Sequence, residues 1–199
     1  MRIPRFQFLW PAVALLLAAC GTPLAASDPN PTLPSGQAGT AATASSIIIV
    51  PIATPLPQFP PDSCPITPKP DPAFVPPEPH PPQAPYGDYW YGSDALWTLL
   101  RPDGRWHSLP QDDHGYGQKV LWFREGYDMT TEQRPILTVT GRRLDGDSAT
   151  FETSDATNGY HRDVGEFMLT GVTLPSAGCW EITGSYRQTS LSFIVWVAP

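Results

Sequence analysis

Proline constrains this chain most, because of where it stands. Of 26 prolines, 19 lie between Gly21 and Pro85 and only five lie beyond. Each proline fixes φ and removes a backbone donor, so a stretch this dense suits neither a helix interior nor a central strand. The tryptophans follow the opposite gradient, with six of the seven between Trp90 and Trp196. Material for a hydrophobic core is therefore concentrated in the C-terminal part, and it suffices for one compact domain.

The N-terminus reads as an address. Arg2 and Arg5 precede an apolar run from Phe6 to Leu17, and small residues follow it, the three-part pattern of a secretory signal. The run is short for a permanent span. Leu17-Ala18-Ala19-Cys20 resembles the lipobox of bacterial lipoproteins. That resemblance implies cleavage before Cys20 and acylation of its thiol, so that the chain is held to a membrane surface outside the cytoplasm, on the cell membrane's outer face or on an outer membrane. The expected division is a signal peptide over 1–19, a lipid-anchored flexible tether over 20–61, a Pro-rich entry segment over 62–85 and a β-sandwich domain over 86–199. The tether is expected to be disordered, and stiffer where the prolines crowd. Ile47-Ile48-Ile49-Val50 interrupts it, either as a docking strand or as an apolar patch ended by Pro51.

From Tyr86 onward, short alternating runs separated by turn residues predict an all-β domain with little helix. Candidate strands cover residues 95–100, 106–109, 119–124, 136–144, 150–153, 167–174, 179–186 and 191–197. Arg101-Pro102-Asp103-Gly104 and Asp145-Gly146 supply turns, the first expected to return 106–109 antiparallel onto 95–100. Gly178-Cys179-Trp180-Glu181-Ile182-Thr183, a polar turn and Leu191-Ser192-Phe193-Ile194-Val195-Trp196-Val197 are similar to the last hairpin of immunoglobulin-like extracytoplasmic bacterial domains. The block around Tyr89-Trp90-Tyr91 and residues 119–144 resembles uncharacterised extracytoplasmic lipoprotein domains. The expected fold is an immunoglobulin-like antiparallel β-sandwich behind a disordered Pro-rich tether.

With Cys20 lipidated, Cys64 and Cys179 remain as an even pair in an exported chain, and a disulfide between them is expected. Tyr86, Tyr89, Trp90 and Tyr91 form a candidate binding face, although alternation along a strand also allows core packing. His107, Asp112, Asp113 and His114 are metal-capable residue types, yet their spacing matches no defined site and a solvated loop accounts for them. There is no Gly-x-Ser-x-Gly elbow, no His-Glu-x-x-His and no phosphate-cradling glycine loop. Loss of Arg2 and Arg5 takes the formal charge from −7 to −9. That charge excludes nucleic acid as a partner class, since phosphate binding needs clustered Lys and Arg.

The expectation is a lipid-anchored binding or structural module without catalysis or cofactor, its partner beyond the membrane an envelope protein or a cell-surface glycan. The alternatives are an accessory subunit of an envelope complex and a small hydrolase or metal-dependent enzyme.

Overall fold

The computed structural model describes residues 55–199. The signal sequence, Cys20, residues 47–50 and the tether up to residue 54 lie outside the described residues. The described strands are β1 Tyr89–Ser93, β2 Leu96–Leu100, β3 Arg105–Trp106, β4 Gln111–Asp112, β5 Gly115–Phe123 and β6 Leu137–Arg143. They continue with β7 Thr150–Thr153, β8 Thr157–His161, β9 Gly165–Leu174, β10 Gly178–Tyr186 and β11 Thr189–Val197.

These strands form two sheets, ordered β1-β2-β5-β9-β8, with β4 beside β5, and β3-β11-β10-β6-β7. All pairs are antiparallel except β3 on β11. The paths β2-β5-β9-β8 and β11-β10-β6-β7 reproduce the A-B-E-D and G-F-C-C′ orders of immunoglobulin domains. The fold is an immunoglobulin-like β-sandwich. Alternation explains the layers: Trp180, Ile182 and Tyr186 on β10 point into a core shared with Leu137, Val139, Trp122 and Phe193. Antibody domains pin the corresponding B and F strands with a disulfide. Here the Trp122 indole fills that place, over Gly184, where an added Cβ would run into the ring. The Trp122 Nε1–H donates to Thr170 Oγ1, which removes the cost of burying both polar groups.

One strand pairing differs from expectation. The turn at Arg101–Gly104 forms, with the Gly104 N–H donating to the Arg101 carbonyl and Gly104 at φ 61°. The chain does not then return onto β2. It crosses to the other sheet, where β3 runs parallel to β11 and the Trp106 ring meets Phe193 at 6.1 Å. Burial of the indole in the inter-sheet core decides this, since a return onto β2 would leave β11 with a free edge.

The Pro-rich residues from 55 to 85 belong to the same compact unit as the strands. They cover apolar surface on the outer side of each sheet. On one side Trp90, Trp97, Phe123 and Phe167 point away from the inter-sheet core and pack against Phe74 and Ala84. On the other, Cys179, Ile194 and Trp196 pack against Leu56, Cys64 and Ile66. Side chains from the strands meet the proline segment's carbonyls: Trp196 Nε1 donates to Pro57 O, Tyr89 Oη to Thr67 O and Trp90 Nε1 to Pro81 O. Residues 55–61, expected as free spacer, are thus held against the domain. The reason is apolar: both sheets carry large rings on their outer faces, and burying each contributes on the order of 2 kcal/mol.

Candidate binding site at the loop end of the sandwich

The four aromatics of the candidate binding face are divided by the pleat, which sends most of their area into packing. Tyr89 is 4% exposed and lies in the inter-sheet core, while Trp90, its neighbour on the opposite side of β1, is 2% exposed in the outer cluster. Burial pushes the Tyr89 phenol up to about 12. Tyr91 is half-buried and donates to Ser192 O in the facing sheet. Only Tyr86 projects outward, 72% exposed, its hydroxyl donating to Asp163 Oδ2 at 2.7 Å. That hydrogen bond raises the Tyr86 phenol and lowers the Asp163 carboxyl.

The two remaining cysteines are joined, with Cα atoms 5.6 Å apart. Around the bond, Asp145 accepts from the Cys179 N–H and from Arg143 Nε, so the Asp145-Gly146 turn supports the start of β10. His107, Asp112, Asp113 and His114 take local roles in their loops. Asp112 Oδ1 accepts the N–H groups of His114 and Gly115, capping the β4–β5 turn, and His107 Nδ1 sits 3.2 Å from Ser108 Oγ. Among the described residues no group of three or more His, Cys, Asp or Glu is placed to hold a metal ion.

The chain gathers its chemistry elsewhere. The turns β1–β2, β8–β9 and β10–β11 and the long connection from Arg124 to Ile136 all lie at one end of the sandwich. In immunoglobulin variable domains the end bearing the B–C and F–G loops carries recognition. The corresponding connections here are 124–136 and the β10–β11 turn. A connection of this length without regular structure is uncommon in a compact domain and is usually functional. Compared with known family models, curated proteins and solved structures, the chain matches none. The site must therefore be read from its own geometry.

The long connection is held at several points. Glu166 Oε2 accepts the Met129 N–H at 2.9 Å and Asn158 Nδ2 donates to Met129 O at 2.7 Å. Tyr127 Oη donates to Glu132 O, and burial, reinforced by Glu132, pushes this phenol up to about 12. The Glu132 carboxylate in turn accepts from Tyr186 Oη and Arg187 Nη2 on the β10–β11 hairpin. Desolvation and that carboxylate raise the Tyr186 phenol. The guanidiniums of Arg124 and Arg187 lie 5.6 Å and 5.0 Å from the centre of the Tyr186 ring.

Between this connection and the proline segment opens a cleft of about 490 Å³. Residues 77–81 form one wall, residues 125–127 another, and the β8–β9 hairpin completes it with Tyr160, Arg162 and Glu166. His80 fixes the proline wall: Nδ1 donates to Val164 O at 2.8 Å, and the ring stands edge-on to Trp97 and Phe123 at 5.2 Å and 5.5 Å. Tyr160 is 64% exposed and lies directly across the hairpin from Glu166. Glu78 and Glu125 are exposed on facing walls and take part in none of the ion pairs of the described residues. Apart from Tyr86, whose partner Asp163 also lines the cleft, none of these residues stood out in sequence. The one available signal was Tyr160, a lone aromatic in the run Thr157-Asn158-Gly159-Tyr160-His161 of otherwise polar or small residues.

Proposed function

We propose that the chain is a lipid-anchored extracytoplasmic binding module without catalysis, and that it recognises its partner with the loop end of the sandwich. The cleft there carries the reading. Its walls are fixed by hydrogen bonds before any ligand arrives, which lowers the ordering cost of binding. The resemblance of Leu17-Ala18-Ala19-Cys20 to a lipobox supports the anchor. The Cys64–Cys179 bond fits an oxidising compartment.

Two measurements on intact cells test this. Replacement of Cys20 with Ser should abolish incorporation of a fatty-acid label and release the protein from the membrane fraction; continued full retention without label refutes the anchor. A photo-crosslinking residue placed at Thr130, on the loop end, should shift the mobility of the protein after irradiation. The same residue at Asp147, on the opposite end, should not. Equal labelling at both ends, or none at either, refutes the recognition surface.

A further inference from the structure

We infer that the loop-end cleft binds a saccharide, neutral or amine-bearing, stacked on the Tyr160 ring. This rests on the reading of the loop end as a recognition surface and names the class of ligand for it.

The argument begins with what the walls can and cannot offer. Pro77, Pro79 and Pro81 have no backbone N–H, and the His80 N–H already donates to Pro77 O, so the proline wall presents mainly acceptors. The unpaired carboxylates of Glu78 and Glu125 add more acceptors, with Asp163 and Glu166 already accepting from Tyr86 and Met129, while the one guanidinium of the lining, Arg162, is turned onto Asp163. A ligand that fits must be rich in donors. A peptide main chain brings one acceptor for every donor, and carbonyls facing this donor-poor wall would go largely unanswered, at a desolvation cost of roughly 1–3 kcal/mol each. Sugar hydroxyls donate to carboxylates and carbonyls alike and impose no such penalty. The excess of carboxylates also turns away phosphate- or uronate-bearing glycans by like-charge repulsion.

The second half of the argument is apolar. A pyranose has one face of C–H groups, and an exposed aromatic ring is the surface that covers it. Tyr160 provides that ring at the rim of the cleft, beside Glu166, where a stacked sugar would place its hydroxyl edge towards acceptors. The ring fills no pocket of its own domain, so stability does not explain its position.

The test uses the full mature lipoprotein in detergent micelles, titrated calorimetrically with cellotetraose, chitotetraose, a galacturonate tetramer and a lysine-rich peptide. Cellotetraose or chitotetraose should bind and the galacturonate should not. Tyr160→Ala should weaken binding about tenfold, the loss of one good contact, and leave the melting temperature unchanged because the ring is exposed. Glu125→Gln should weaken it by a smaller factor and admit the galacturonate more readily. Binding of neither neutral nor amine-bearing sugar, or equal binding by Tyr160→Ala, overturns the inference. Peptide binding in the absence of sugar binding overturns it as well, but keeps the loop end as a recognition surface. If the Thr130 crosslink also fails, both readings fall together.

Discussion

Breaking the Cys64–Cys179 bond is the perturbation whose size follows most directly from the structure. The bond joins residues 115 apart in sequence. In the chain-entropy argument, closing a loop of that length removes freedom from the unfolded chain worth about 5 kcal/mol at 25 °C. Unfolding entropy runs near ~2.1 cal/mol/K per residue, or about 0.3 kcal/mol/K for a domain of this size. The melting temperature should therefore fall by roughly 15 °C. Both sulfurs are buried, so the reductant must be added to unfolded protein and removed before refolding anaerobically. Scanning calorimetry on a Cys20→Ser chain, oxidised and reduced, gives the shift without interference from a third thiol. Hydrogen exchange separates two causes. The Thr67 N–H donates to Ile194 O at 3.0 Å, close to the bond. If the bond acts through the unfolded chain alone, Thr67 and the core amides lose protection equally. If reduction also frees the proline segment locally, Thr67 loses more. A melting shift under about 4 °C, with Thr67 unchanged, would refute the loop-closure reasoning.

Gly184→Ala places a methyl group within the Trp122 ring and should cost about 1–3 kcal/mol, read as an earlier denaturant midpoint at unchanged slope. Phe74→Ala removes a ring 5.9 Å from Trp97 and should cost on the order of 1–2 kcal/mol, again by denaturant titration, although Phe74 lies outside both sheets. Tyr89 and Tyr127, with phenols pushed up to about 12, should ionise late when absorbance at the tyrosinate band is followed against pH. Their neutral forms are favoured in the fold, so their contribution to stability is complete below the ordinary tyrosine range near ~10 and is lost as pH rises from there through about 12. A stability rising over that window would contradict the sign. Deletion of residues 22–53 should leave the melting temperature within about 2 °C of the parent, as a stretch without core residues implies; a larger fall would place residues 47–50 on the domain.

The sandwich was legible because alternation was. The β10–β11 hairpin alternates residue by residue, and its register, Ile182 opposite Phe193, follows from which side chains are apolar. The pairing of Cys64 with Cys179 was legible from the lipobox-like run, which sets Cys20 aside and leaves an even pair of thiols in an exported chain. The fate of Trp106 was not, because two residues of strand carry no period and only the position of Phe193 in the folded core draws the chain across. The edge strand β8 was missed for a related reason: Thr157, Asn158 and Gly159 are polar or small, and their strand state is imposed by β9. The site failed to show for a third reason. Its walls come from residues 77–81, 125–127 and 160–166, and no local pattern records that three such segments meet.

The proline segment explains an oddity of the strands it covers. Leu96-Trp97-Thr98-Leu99-Leu100 is a nearly continuous apolar run, and Leu96, Trp97, Thr98 and Leu100 are buried. An antiparallel sheet with one face in water would alternate instead. β2 does not, because its outer face is roofed by chain that has few N–H groups to satisfy and can lie across strands without pairing with them. A roof of ordinary residues would leave unpaired donors over an apolar surface or extend the sheet. Proline avoids both and holds its own shape at low entropic cost. The same piece of chain then serves as the cleft wall at residues 77–81. Its attachment protects that role: any pull reaching residue 55 from the N-terminal side is taken up by the covalent bond at Cys64. The wall lies beyond that bond, fixed by His80 and Trp90, so its geometry is insulated from whatever the preceding chain is fastened to.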